Sequence, residues 1–319
     1  MNSKPSNDAG ATVILPDIAK LTAIAKEHDF CACGVLTLRA VDGDTASYYH
    51  KWIGEQRHAG MGYLANYEDK RYDPRELMPE AKTMLSLAMS YAPDPEMSLS
   101  ESGYKFAAYA LGKDYHDVMK EHLRSLAETL GLKTYRVFTD TAPILERYWA
   151  QQAGLGWIGR NRQLIVPHYG SMVFLGEILT DAIASETSVP MNRTCGRCRR
   201  CIDACPTHAL GDDFDARLCL SYHTIENREA IPEDIQSKMT DCIYGCDRCQ
   251  TACPHNGNVQ PTAVPEFKPS EALRSMTKDD WQRLTVEQYR QLFKGSAVKR
   301  AKYEGLKRNI DCLTGKKEV

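Results

Sequence analysis

Two cysteine runs, each closed by Cys-Pro, constrain this chain more than any other feature: Cys195-x2-Cys198-x2-Cys201-x3-Cys205-Pro206 and Cys242-x3-Cys246-x2-Cys249-x3-Cys253-Pro254. An x2, x2, x3 rhythm ending in proline is the spacing with which three thiolates hold one iron–sulfur cubane while the fourth crosses to a second. The runs therefore predict a ferredoxin-like domain with two [4Fe-4S] clusters over residues 187–262, interrupted by an insertion at 215–240. Structural zinc fits less well, because it is usually held by two separated Cys-x-x-Cys pairs. Disulfides fit worst, since the amino-terminal Met1-Asn2-Ser3-Lys4-Pro5 has no secretory pattern.

The rest of the composition is that of an ordinary soluble chain. At 319 residues and 43% hydrophobic content it can bury one large core with satellites. No apolar stretch approaches the roughly 20 residues needed to span a bilayer, so a cytoplasmic protein without membrane contact is expected. The formal net charge of −2 hides an uneven distribution. Between Lys294 and Arg308, Lys294, Lys299, Arg300, Lys302, Lys307 and Arg308 face Glu304 alone, a local balance of +5. Arg193, Arg197, Arg199 and Arg200 thread the first cysteine run. Such runs are often solvated faces, but two concentrated patches also suit an anionic macromolecule.

Residues 1–186 alternate helical and strand-like segments and predict an α/β domain. Ile18, Leu21, Ile24 and Ala25 recur at helical spacing, as do His116, Met119, Leu123, Leu126 and Leu130 before Gly131. Strands are expected at Val35 to Leu38, Met84 to Met89 and Tyr135 to Phe138. Residues 263–319 read as a short, basic, helical carboxy-terminal segment, with helices around Trp281 to Leu292 and Ala297 to Asn309.

Three motifs point elsewhere on a first reading. Gly154-Leu-Gly156-Trp-Ile-Gly159 fits a dinucleotide fingerprint, but that needs a strand before it and a helix after it. Here a helix precedes and a strand follows, so the glycines are expected to make a tight turn. Cys242-x3-Cys246-x2-Cys249 matches the motif of radical enzymes that cleave S-adenosylmethionine, yet Cys253-Pro254 offers a fourth ligand that would close the site. Asp114-Tyr-His116 starts a cobalamin-type D-x-H-x-x-G loop, but Met119 stands at the glycine. Asp114 is better read as a helix cap.

Nine cysteines lie between 195 and 253, and two cubanes need eight. Crossed ligation assigns Cys195, Cys198, Cys201 and Cys253 to one cluster, and Cys205, Cys246 and Cys249 to the other. Spacing alone does not choose between Cys219 and Cys242 for the eighth place. Cys31, Cys33 and Cys312 read as simple thiols.

With these motifs in hand, the chain resembles the epoxyqueuosine reductases, cobalamin- and iron–sulfur-dependent enzymes that finish the modified base queuosine in tRNA. The resemblance rests on an ordered series spanning about residues 55 to 310: Gly60-Met-Gly-Tyr-Leu64, Arg71-Tyr-Asp-Pro74, Tyr109 to His116, Asp140-Thr-Ala-Pro-Ile-Leu-Glu146, Gly154 to Trp157, Gly170-Ser171, Leu175-Gly-Glu177, Cys219 to Tyr222, Tyr244 to Asp247 and Gly295 to Arg300. It implies that Cys219 is the eighth ligand and Cys242 the extra thiol. It also implies that Asp140 is the proton donor, and apolar neighbours such as Phe138, Ala142 and Pro143 can raise a carboxyl pKa far enough for that role. Asp140 can equally cap a helix starting near Pro143.

The same resemblance places cobalamin between the α/β domain and the clusters, with corrin contacts at Arg71, Ala107, Asp140, Leu164, Leu175, Ser221, Asp247 and Arg248. The substrate it implies is epoxyqueuosine in a tRNA anticodon loop, held by Arg228, Lys294, Lys299, Arg300 and Lys302, with the unpaired base splayed into a pocket. Electrons are expected from a ferredoxin or flavodoxin, and the protein is expected to be a monomer. Many members continue into a helical-repeat domain, whereas this chain stops at Val319, so tRNA binding is expected to rest on less surface. A corrinoid iron–sulfur reductive dehalogenase would combine the same cofactors but leaves the basic segment without purpose. A plain ferredoxin-type electron carrier leaves the α/β domain unexplained.

Overall fold

The computed structural model describes residues 12–315; the reading of Met1 to Pro5 falls outside them. Its centre is a four-stranded sheet built from β1 (Ala32–Thr37), β2 (Thr83–Ser90), β3 (Tyr135–Phe138) and β4 (Val173–Thr180), in the order β1-β2-β4-β3. Every neighbouring pair is antiparallel. The α/β expectation is thus met as a mixed fold whose main sheet is antiparallel. The sequence reading also lacked β4, the strand between β2 and β3. Its run Val-Phe-Leu-Gly-Glu-Ile-Leu-Thr is buried on both faces and so shows no polar alternation.

Alternate residues of the sheet serve two cores. Leu85, Leu87, Met89, Phe174 and Ile178 pack with Leu21 and Ala25 of α1 (Ile18–Glu27) and with Met119, Leu123 and Leu126 of α2 (Tyr115–Thr129). Met84, Ala88, Phe138, Leu175 and Leu179 pack on Tyr148, Trp149 and Ala150 of α3 (Glu146–Gln152). The capping expected of Asp114 is observed: its carboxylate accepts the His116 N–H at 3.1 Å. Gly154 and Gly156 make the expected turn between α3 and a short hairpin; a Cβ at Gly156 would lie 2.1 Å from the Ile165 carbonyl oxygen.

A third core joins the insertion and the carboxy-terminal helices to residues 104–110. Phe106, Tyr244, Trp281 and Phe293 are its aromatic centre. The expected helix at Ala297 to Asn309 is two pieces. A 3-10 turn, Ala297–Ala301, and α4 (Leu220–Ile225) pack on α5 (Lys302–Thr314), whose first residue, Lys302, breaks the helix from the turn at φ +59. Buried Asn309 fixes α5 by donating to the Thr224 and Ile243 carbonyls at 2.8 and 2.9 Å. No helix among the described residues is long and apolar enough to cross a membrane.

The sheet and the cysteine-rich half are joined by a buried polar cluster. Ser171 donates its N–H to Asn256 at 2.7 Å and its hydroxyl to Gln250 at 3.1 Å, and Asn256 donates to the Gln250 carbonyl at 2.8 Å. Gly170, at φ +68, lies so close that a Cβ there would meet the Asn256 side-chain oxygen at 2.0 Å.

Candidate active site and cofactor-binding residues

The two halves of the cysteine repeat fold alike, as short helices Arg200–Asp203 and Arg248–Thr251 packed against each other. The structure brings eight thiols into two sets. Burial raises Cys201 and Cys253, and both are raised further by Cys195, with Cys198 also acting on Cys253. Burial likewise raises Cys219 to about 11, with added effect from Cys246 and Cys205. Cys249 is raised by burial, then by Cys246 and Cys219, and also by Cys205. Mutual repulsion of this kind means proximity. It groups Cys195, Cys198, Cys201 and Cys253 apart from Cys205, Cys219, Cys246 and Cys249, with Cys242 a further neighbour of Cys246. The Cys242 thiol is instead spent inside the chain, donating to the Tyr244 and Gly245 carbonyls, each at 3.3 Å. Among the described residues no three His, Cys, Asp or Glu side chains converge on one metal-ion position.

Asp140 follows β3 in a left-handed conformation, φ +55. The preceding Thr139 hydroxyl anchors it to the Leu175 carbonyl of β4 at 2.8 Å. One Asp140 carboxylate oxygen accepts from the Tyr115 hydroxyl at 2.7 Å and faces His116 Nε2 at 3.2 Å. The other ring nitrogen of His116 lies 2.6 Å from Asp114. Tyr115 is held in place by stacking on Phe174, with ring centroids 4.3 Å apart. Asp140 does not cap a helix as expected; its own N–H donates to the Glu146 carboxyl.

The electrostatics also differ from the apolar setting expected around Phe138, Ala142 and Pro143. The surrounding protein would by itself raise the Asp140 carboxyl, but the bonds to His116 and Tyr115 outweigh that and hold it below its ordinary value. Burial would lower His116, yet its bonds to Asp114 and Asp140 raise it to about 9. Burial and the Asp140 charge push Glu146 up to about 8. The Asp140 side chain is 59% accessible and His116 23%, so this charged group opens to solvent. Sequence reasoning missed Tyr115, His116 and Glu146 as partners of Asp140, because the three come together only across α2, the loop after β3 and α3.

The proposed corrin contacts fall into three groups. Ala107, Ser221 and Asp247 sit where the sheet half meets the insertion: Ala107 donates to the Tyr244 carbonyl at 2.8 Å, Asp247 accepts the Ala108 N–H at 2.6 Å, and Ser221 lies on α4. Leu164 and Leu175 are buried in the core covered by α3. The guanidinium groups of Arg71 and Arg248 are committed within the chain. Arg71 holds the Tyr63 and Asn66 carbonyls, and Arg248 holds the Lys238 carbonyl and the Thr240 hydroxyl. Beside Leu164, the amide nitrogen of buried Asn161 has no partner. A spare buried amide suits a corrin, whose rim carries amide arms, so Asn161 and the hairpin that carries Leu164 fit cobalamin.

The basic segment is less free than its charge suggests. Lys294, Lys299 and Lys302 are exposed and form no ion pair within the described residues. Arg300 instead pairs with Glu226 at 2.8 and 2.7 Å and lies 5.3 Å over the exposed Tyr63 ring. Arg228 holds the Ile225 and Arg300 carbonyls. Arg308 holds the carbonyls of His223, Asn227 and Glu229, and Lys307 pairs with Asp311.

Comparison with known proteins matches the same two regions. Residues 71–141 fit the family model "Epoxyqueuosine reductase QueG, DUF1730", and residues 194–256 fit "4Fe-4S double cluster binding domain". A Leadbetterella byssophila epoxyqueuosine reductase is 42% identical over 291 residues, covering 90% of this chain and 94% of the relative. A crystal structure of epoxyqueuosine reductase with a tRNA-Tyr epoxyqueuosine-modified tRNA stem loop superposes with a TM-score of 0.81 at 26% identity, covering 92% of this chain and 80% of that one. A Bacillus subtilis epoxyqueuosine reductase, whose aspartate-bearing catalytic loop is swung out of the active site, superposes with a TM-score of 0.79 at 28% identity and the same coverage.

Proposed function

This chain belongs to the epoxyqueuosine reductase family, and from that premise we propose how its residues reduce epoxyqueuosine to queuosine at the wobble position of tRNA. The reaction breaks the two epoxide C–O bonds, forms a carbon–carbon double bond and releases the oxygen as water, consuming two electrons and two protons. When bound, the two [4Fe-4S] clusters deliver electrons singly and cobalamin supplies a strongly reducing centre. Cys195, Cys198, Cys201 and Cys253 would hold one cluster, and Cys205, Cys219, Cys246 and Cys249 the other. Ala107, Leu164, Leu175, Ser221 and Asp247 would line the corrin.

The chain's own chemistry is proton delivery, and the observation that carries it is the Asp114–His116–Asp140 chain of bonds. In the resting site Asp140 is ionised and the proton rests on His116, between two carboxylates. A bound nucleotide that displaces water from Asp140 favours its neutral form. The proton then passes from His116 Nε2 to the carboxyl that faces the leaving oxygen, and Tyr115 keeps that carboxyl turned toward it. Lys294, Lys299 and Lys302 contact anticodon-loop phosphates, while Arg300 and Arg228 shape the rim beside Tyr63. The enzyme acts in the cytoplasm as a monomer, reduced by a ferredoxin or flavodoxin.

The test is anaerobic purification with cobalamin supplied, followed by assay on epoxyqueuosine-containing tRNA. About eight irons and one corrinoid per chain, with conversion to queuosine, are expected. Iron without corrinoid and no conversion would instead favour an electron carrier.

A further inference from the structure

The loop between β3 and α3 carries Asp140, and its own turns are local: the Thr141 N–H bonds the Thr139 carbonyl, and the Ile144 N–H bonds the Ala142 carbonyl. The main-chain N–H of Asp140 is taken by a side chain, the Glu146 carboxyl, from the first residue of α3. That carboxyl is partly buried, and α3 packs on β2 and β4. Five charged or titratable groups act on it or face it, among them the Tyr115 hydroxyl of α2. Asp140 and Glu177 are acidic; Arg147, on its own helix, and His116, from α2, are basic.

The interior behind Glu146 presents a second buried carboxyl, that of Glu177, rather than a cation. Glu177 of β4 is 0% exposed, and neither of its carboxyl oxygens has a hydrogen-bond partner. Ser86, opposite it on β2, and the indole nitrogen of Trp149 are also buried without partners. Arg147, the nearby cation, is turned to the Arg162 carbonyl. A carboxylate at Glu146 would therefore lie between the Asp140 carboxylate and the buried Glu177 carboxyl.

We propose that Glu146, in its uncharged form, is a positioning residue that latches the Asp140 loop: its carboxyl accepts the Asp140 N–H and so keeps the Asp140 side chain on Tyr115 and His116. The inference rests on the reading of Asp140 as proton donor. Burial and the neighbouring Asp140 charge put the change of form at about pH 8. Below that value the latch is neutral and accepts the N–H. Above it the Asp140 N–H still favours a carboxylate at Glu146, but the Asp140 charge, the larger effect, repels it and the loop is released, so turnover falls with rising pH although His116 keeps its proton to about pH 9.

The experiment compares Glu146→Ala, Glu146→Gln and Asp140→Asn in the holoenzyme, with iron and corrinoid content as the check on folding. Glu146→Ala should lower kcat about 100-fold, the order expected when a reacting group is misplaced by an ångström, with KM for tRNA nearly unchanged. Glu146→Gln keeps a neutral acceptor, so it should recover most of that loss at pH 7 and move the alkaline limb from about 8 toward 9. Hydrogen exchange at one fixed pH should be faster over residues 139–146 in Glu146→Ala than in Glu146→Gln, with or without cofactor. Wild-type rates in Glu146→Ala would overturn the latch, as would a Glu146→Gln enzyme as slow as Glu146→Ala or one with an unmoved alkaline limb. If Asp140→Asn turns over normally, the donor reading itself fails; if it is inactive while Glu146→Ala is normal, the latch alone fails.

Discussion

His116 Nε2 stands 3.2 Å from the carboxylate of Asp140, and the opposite ring nitrogen stands 2.6 Å from Asp114. An imidazole between two carboxylates is stabilised as imidazolium. It can therefore store the proton that an exposed, ionised Asp140 lacks.

Asp140→Asn keeps the size and part of the hydrogen bonding of this side chain but cannot release a proton. Turnover should fall by about 10²–10⁴-fold, the range for loss of a general acid, while iron and corrinoid content stay at wild-type levels. Unchanged turnover would remove Asp140 from the chemistry.

Cys219 and Cys242 are both partly buried thiols near Cys246, but Cys219 also neighbours Cys205 and Cys249. Cys219→Ala should lower iron content and weaken the cluster signal. Cys242→Ala removes a thiol that bonds main-chain carbonyls and should leave iron unchanged. The reverse result would exchange their roles.

Lys302→Gln and Lys299→Gln should weaken tRNA binding and each reduce the slope of log affinity against log salt by about 0.7–1. Lys307→Gln, already paired with Asp311, should leave that slope unchanged. Equal effects at all three positions would mean that the whole basic run, rather than its unpaired members, faces the RNA.

Glu177→Gln tests the buried carboxyl by stability. Burial raises the folded-state pKa of Glu177 well above its ordinary 4.5. The stability linked to its protonation is thus fully present below the unfolded value and lost as pH rises toward the folded one. An amide does not titrate, so the melting temperature of Glu177→Gln should gain on wild type between pH 5 and pH 8. A difference that stays constant over that interval would show that Glu177 does not titrate there.

The cysteine spacing made the two-cluster domain legible because thiolate ligation tolerates few spacings. Asp114 was legible as a cap because capping is local, involving residues two positions apart. The sheet was half legible. Tyr135 to Phe138 stands out as a short β-branched and aromatic run, whereas Val173–Thr180 is covered on both faces and interrupted by Glu177, which masks its period. The partners of Asp140 were hidden for another reason: Tyr115, His116 and Glu146 meet it through tertiary packing that no local spacing encodes. Charge counting failed where side chains have internal work, as Arg308 does in holding three carbonyls.

The polar cluster of Ser171, Gln250 and Asn256 leaves little room for independent drift between the two halves of the molecule. Gln250 directly follows Cys249, Ser171 leads into β4, and Gly170 leaves no space for a side chain against Asn256. A replacement on one side strands a buried donor or acceptor on the other. Substitutions on the two sides should therefore be coupled in their effect on stability, so that the cysteine-rich half cannot be exchanged by itself without stranding these groups.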